Sequence, residues 1–186
     1  MTARSRRPRP PLDEIKLGEL ALAYVGRFAT TRSRLADYLR RKLRERGWAG
    51  SGEAPVEAMV ERCVRNGFVD DAAFALSKAR SLSGRGYGAA RVRQSLRAAG
   101  VGEDDGAAAR RLAADEAVEA ATRFARRRRI GPFADRRPDP KGRQIAIAAM
   151  VRAGHSFGLA RALVDMDPGV PVDAADLAEF GRREPE

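Results

Sequence analysis

Catalysis needs nucleophiles, titratable groups or metal ligands at workable spacing, and this chain offers few. It holds one histidine, His155, and one cysteine, Cys63. Two-histidine metal motifs and cysteine metal cages are excluded on that count, as is an internal disulfide framework. The scarcity of cysteine points to an intracellular setting. A His–Cys catalytic pair would have to be His155 with Cys63, and no pattern brings the two together. The carboxylate pairs Asp70-Asp71 and Asp104-Asp105 stand where helices should begin. They read as caps on free N–H groups, not as an acid–base or metal centre. Gly84, Gly86 and Gly88 alternate, but no strand precedes them and GxGxxG spacing is missing. They read as a flexible turn. Cys63 falls on an apolar stripe, where a thiol is inert. His155 follows a terminating glycine and reads as a packing or loop residue. No catalytic residue, metal ligand or cofactor is assigned.

Basic residues carry the stronger signal. Lys plus Arg is 36 against 25 for Asp plus Glu, a net charge of +11 over 186 residues. That excess suggests a polyanionic partner, nucleic acid first. Only four of the 36 are lysines. The guanidinium fork suits phosphate and carboxylate alike, so an acidic protein groove is the other fitting target. The candidates are Arg34, Arg40, Arg41 and Arg44 in one segment, Arg91, Arg93 and Arg97 in a second, and Arg126, Arg127, Arg128, Arg129, Lys141 and Arg143 in a third. Changing Arg40, Arg41 and Arg44 together to alanine should weaken polyanion binding and flatten its salt dependence. The log–log slope should fall by about 0.7–0.9 for each phosphate no longer neutralised. Few aromatic residues interleave with these blocks, so base stacking is poorly supported.

These side chains need elements to position them. Apolar residues make up 44% and charged residues 33%, a mix that argues against wholesale disorder. No stretch shows sustained period-two alternation of β-branched residues, so the class is all-α. The clearest helix is 31–46, with Leu35, Leu39 and Leu43 on one stripe, Thr30 or Thr31 as its cap and Gly47 as its stop. Lys42 falls within that apolar face and must snorkel or meet a carboxylate. A helix over 17–28 carries Leu20, Ala21, Tyr24 and Phe28 inward. Another over 55–66 carries Met59, Val60 and Cys63. Asp70 caps a helix over 71–82, with Val69 and Phe74 placed as a hydrophobic staple.

A repeat organises these helices. Segments ending at Gly47, Gly100 and Gly154 align, so that Leu39, Val92 and Ala146 coincide, as do Leu43, Leu96 and Met150. The pattern predicts three tandem three-helix units stacked into an elongated, curved rod. They span 16–68, 69–114 and 115–166, with a mobile basic arm over 1–15 and a loose acidic tail over 167–186. One helical turn is expected in the tail, around Leu177. Charge follows the same period: net +6, −3, +6, −4, +7 and −5 over 27–46, 53–71, 78–97, 103–119, 123–143 and 165–186. The middle helix of each unit should share one positive face. No apolar run reaches the ~20 residues that span a bilayer, and the first residues lack the apolar core of a secretory signal.

The motifs Arg34-x3-Tyr38-Leu39-x2-Lys42-Leu43-x3-Gly47, Gly67-Phe68-Val69-Asp70-Asp71-x2-Phe74-Ala75, Gly88-x2-Arg91-Val92-x3-Leu96-x3-Gly100-Val101 and Gly154-x-Ser156-Phe157 occur in that order. In order and spacing the chain resembles the RecX regulatory proteins, modulators of the RecA recombinase, over roughly residues 16–166. The resemblance implies a cytoplasmic, monomeric, non-enzymatic protein without cofactors. Its expected partner is RecA and the RecA filament on single-stranded DNA, with free single- or double-stranded DNA as a further ligand and no membrane. Binding in the filament groove would restrain ATP hydrolysis, filament growth and strand exchange. Two departures from the family pattern stand out. His155 replaces an aromatic residue, and the segment after Gly102 is Ala-rich with Leu112 as its only large apolar anchor. The competing readings are a helix-turn-helix DNA-binding protein and a small enzyme built on the Asp pairs and His155.

Overall fold

The computed structural model describes residues 10–182. Those residues form ten α-helices and no strand. In chain order they are α1 (Glu14–Val25), α2 (Arg32–Arg46), α3 (Val56–Arg65), α4 (Asp71–Gly84), α5 (Ala89–Arg97), α6 (Glu103–Asp115), α7 (Ala117–Arg128), α8 (Pro140–Arg152), α9 (Phe157–Asp165) and α10 (Ala174–Arg182). The chain divides into two compact units: Met1–Phe74 with Ala99–Val101, and Ala75–Ala98 with Gly102–Glu186.

In the first unit α1, α2 and α3 pack on one another. The leucine stripe of α2 does what its period requires: Leu35 and Leu39 are fully buried, against Leu17, Met59 and Val60 among others. Thr31 caps α2, its Oγ1 accepting from Arg34 N at 3.2 Å and donating to Ala99 O. Lys42 both snorkels and finds a carboxylate, with Nζ 2.6 Å from Glu45 and lying against the Tyr38 ring. Asp70 caps α4 as expected, accepting from Ala73 N at 2.8 Å. Asp71 does something the pair did not suggest. It is buried, and its Oδ1 accepts from Arg32 N at 2.9 Å, closing the first turn of a different helix, α2.

Three expectations change here. Residues 10–15 are no arm: Leu12 is fully buried, its N–H donates to Gly47 O at 2.9 Å, and its carbonyl accepts from Ala49 N at 2.8 Å. That clip satisfies backbone groups on both segments, which periodicity cannot foresee. The remainder of the arm, 1–9, lies outside the described residues. The helix expected over 17–28 starts at Glu14, capped by Asp13, and stops at Val25. Phe28 therefore lies beyond it and is exposed.

In the second unit, α7, α8 and α9 surround Ala121, Phe124, Met150 and Leu163. The start of α8 follows its sequence signals closely: Asp139 accepts from Gly142 N at 2.6 Å, and Pro140 opens the helix. Helix α6 packs on α5 through small residues, Gly106, Ala109 and Ala113 being its buried positions. Asp104 and Asp105 do not cap it. They lie inside its first turn, behind Gly102, where the helix dipole favours them. The tail holds more than one turn. Helix α10 packs on α7 and α9 with Leu177 buried in the core. Ser156 ties it down: Oγ accepts from Leu159 N at 3.3 Å, capping α9, and donates to Phe180 O at 2.8 Å. Ser156→Ala should cost about 1–2 kcal/mol. Hydrogen exchange within α10 should rise in the same variant. Unchanged α10 protection would mean that Leu177 alone docks this helix.

Candidate nucleic-acid interface

The sequence Gly84-Arg85-Gly86-Tyr87-Gly88 links α4 to α5 and is a packed turn, not a flexible one. Tyr87 N–H donates to Leu82 O at 3.0 Å and Gly86 N–H to Ser83 O at 2.8 Å, the paired bonds of a Schellman helix end. His155, reaching across from the turn after α8, sets its Nε2 3.1 Å from Gly86 O. Arg127 donates from Nη1 to Arg85 O at 2.7 Å. Gly88 N–H donates to Ala153 O at 3.0 Å. The loop is thus fixed against α7 and the end of α8.

That anchoring gathers cations around one ring. On one side of Tyr87 a groove of about 370 Å³ is lined by Lys78, Arg85, Arg91 and Gln94. On the other a groove of about 520 Å³ is lined by Arg85, Arg127, Arg128 and Arg152, over Phe124 and Ala149. No carboxylate lines either side. The guanidinium of Arg85 sits 5.4 Å from the Tyr87 ring centroid and that of Arg91 6.0 Å. Arg127 and Arg128 lie 5.6 and 5.8 Å from the ring of Phe124. Among the described residues none of these six cations is ion-paired. A bound anion would lower the mutual repulsion of these cations.

The other sequence candidates have different surroundings. Arg40 lies between Asp37 at 3.6 Å and Glu57 at 2.5 Å. Arg41 reaches Glu45 at 3.8 Å. Arg143 grips Asp165 with two hydrogen bonds of 2.5 and 2.7 Å, which lower the Asp165 carboxyl pKa and raise that of the guanidinium. Arg34 is half-buried with its guanidinium over Phe74, and Arg126 lies over Phe133. Arg129 adopts the left-handed region at φ 53° and faces Asp135 at 3.7 Å. Arg93 is half-buried and engaged. Arg44, Arg97 and Lys141 are exposed and line neither Tyr87 groove. The sequence pattern did not single out Lys78, Arg85, Tyr87 and Arg152. A usable signal existed: Arg85 and Arg152 each lie in a helix-ending segment next to a terminating glycine, where side chains gather around the following turn.

His155 is structural. It is buried, edge-on to Phe124 at 5.5 Å. With Nε2–H donating to Gly86 O, the buried Nδ1 has no partner. Burial holds the ring neutral, lowering its pKa from the ordinary 6.5 to about 4, against a weaker upward effect of the Gly86 bond. Because the folded value is the lower one, the unfolded chain takes up the proton first. Stability is therefore full above the unfolded value and declines as pH falls towards the folded one. Between pH 6.5 and 5 the loss should be about 1.5 kcal/mol. Urea unfolding of the wild type and His155→Phe should diverge across that window. Parallel curves would show that the imidazole is not held neutral. Cys63 is also buried, and burial raises its thiol pKa, so it is inert. No group of three or more His, Cys, Asp or Glu side chains that could hold a metal ion occurs among the described residues. No helix among them is long and apolar enough to cross a membrane.

Helical triplets ending in glycine turns, with a basic groove that no carboxylate lines, define an all-α repeat protein. The family described as "RecX, second three-helix domain" matches residues 70–109. The chain is 37% identical over 174 residues to the regulatory protein RecX of Myxococcus xanthus (strain DK1622), covering 88% of this chain and 91% of that one. It is 31% identical over 140 residues to the regulatory protein RecX of Agrobacterium fabrum (strain C58 / ATCC 33970), covering 73% and 74%. The crystal structure of RecX from Lactobacillus salivarius shares the fold, with a TM-score of 0.58 at 16% identity, over 81% of this chain and 94% of that one. A second crystal structure of regulatory protein RecX does so at 22% identity and the same TM-score, over 81% and 70%. This chain belongs to the RecX family.

Proposed function

We propose that the protein is a RecX-type regulator that binds RecA and the RecA filament on single-stranded DNA. Seated in the filament groove, it restrains ATP hydrolysis, filament extension and strand exchange. One observation carries the reading beyond family membership: six unpaired cations converge on Tyr87 with no carboxylate among the groove linings. A filament groove offers such a surface phosphates, acidic side chains, or both. In this reading the protein acts by binding alone, as a cytoplasmic monomer without a cofactor. Arg91, Arg127 and Arg128 keep the contact role expected of them, and Lys78, Arg85 and Arg152 join it. Arg40, Arg41 and Arg143 contribute less, because carboxylates already occupy them.

The test is the single-strand-dependent ATPase of RecA at fixed, saturating recombinase, titrated with this protein. A helical control of the same charge runs beside it. A fall in rate at a small fraction of the RecA concentration, absent in the control, supports filament modulation, since one blocked filament end silences many protomers. A fall only when the protein can coat the DNA would leave plain DNA binding as the better account.

A further inference from the structure

Three aromatic side chains meet on the surface of the first unit. Tyr24 from α1 and Tyr38 from α2 stack with centroids 4.3 Å apart and planes inclined by 18°. Phe28, just past α1, lies against Tyr24 at 5.4 Å. It is 57% exposed, a large flat ring left in water. The shelf opens on a groove of about 370 Å³ whose cationic lining is Arg27 and Arg41 and which no carboxylate lines. The Arg41 guanidinium sits 5.6 Å from the Tyr38 ring. Its contact with Glu45, at 3.8 Å and solvent-exposed, leaves it shared between that carboxylate and the groove. Arg27 is exposed and pairs with no carboxylate among the described residues.

We propose that this shelf is a nucleobase-stacking site for single-stranded nucleic acid. A base has two flat π faces and carries its phosphate a few ångströms away. The shelf presents flat rings with two guanidinium groups beside them, which matches that layout. A duplex keeps its bases inside the stack and cannot use exposed rings in this way. An aliphatic side chain from a protein partner would instead call for a closed apolar pocket, and the groove here is an open face of rings. The site differs in kind from the Tyr87 grooves, where the guanidinium groups outnumber the ring and charge dominates. It goes beyond the recombinase reading and does not depend on it.

The experiment uses the full chain and fluorescence anisotropy with two labelled probes: an oligothymidylate, and an abasic phosphodiester of equal length and charge. Phe28→Leu keeps the apolar bulk but removes the π face, and Phe28→Trp enlarges that face. The wild type should prefer the oligothymidylate. Phe28→Leu should weaken oligothymidylate binding about fivefold, leave abasic binding nearly unchanged and leave the salt slope intact. Phe28→Trp should bind the oligothymidylate at least as tightly as the wild type. Equal losses on both probes, or no loss on the oligothymidylate, would overturn the proposal. If Phe28→Leu keeps its affinity for the oligothymidylate but loses its effect on the RecA ATPase, the shelf is a protein-docking face. In that case the base-stacking inference fails while the modulator reading stands.

Discussion

Gly88→Ala should destabilise the second unit by about 4 kcal/mol or more. A Cβ at Gly88 would sit 2.2 Å from Gly154 O and 2.5 Å from His155 N. Those are backbone atoms, and no side-chain rotation can move them aside. The two turns are also tied by Gly88 N–H to Ala153 O and Ala90 N–H to Gly154 O, at 3.0 and 3.1 Å. Relieving the clash means separating the turns and losing both bonds. Gly154 is held twice over. Its φ of 97° suits glycine, and a Cβ there would lie 2.5 Å from Arg91 N. The comparison variant is Gly84→Ala, where an added Cβ meets nothing within 4 Å. That change should be neutral or stabilise slightly, by up to ~1 kcal/mol. Urea unfolding of both variants tests the pair. Equal midpoints would mean that the two glycine turns do not touch.

The second large effect is on binding. Replacing Arg85, Arg128 and Arg152 together with alanine should lower the log–log salt slope of DNA binding by about 2–3 and weaken binding roughly 100-fold near 0.1 M salt. All three are exposed and none is ion-paired, so the fold should survive their removal and the unfolding midpoint should hold. Arg127 is spared in this variant because it holds the Arg85 carbonyl. The matched set Arg40, Arg41 and Arg44 should lower the slope by less than about one. Asp37, Glu57 and Glu45 already neutralise two of its members, leaving Arg44 as the uncompensated one. A larger effect from the second set would move the interface to α2 and away from Tyr87.

That contrast also marks how far the one-dimensional pattern reaches. Helix class, the glycine stops and the repeat spacing are local properties. Thr31, Asp70 and Asp139 cap because a short side-chain oxygen reaches the N–H groups just ahead of it, whatever the rest of the chain does. Leu35 and Leu39 of α2 bury because period and hydrophobicity leave them one face. Even the Lys42 outcome was legible, since Glu45 is on the same helix.

Pairing across the fold was not legible. Arg40 meets Glu57 on α3, and Arg143 meets Asp165 on α9. Charge blocks along the chain count such arginines as free cations, when the fold has matched each with a carboxylate. Arg85 and Arg152 become neighbours only because the Gly88 and Gly154 turns touch. Tyr24, Phe28 and Tyr38 look like scattered aromatics until α1 and α2 pack. The amino-acid sequence by itself determined an all-α repeat protein of basic character, with its caps, its stops and its family. Tertiary structure alone decided which charges stay uncompensated and which rings share a surface, because an electrostatic or stacking contact depends on distance in space and falls away within a few ångströms.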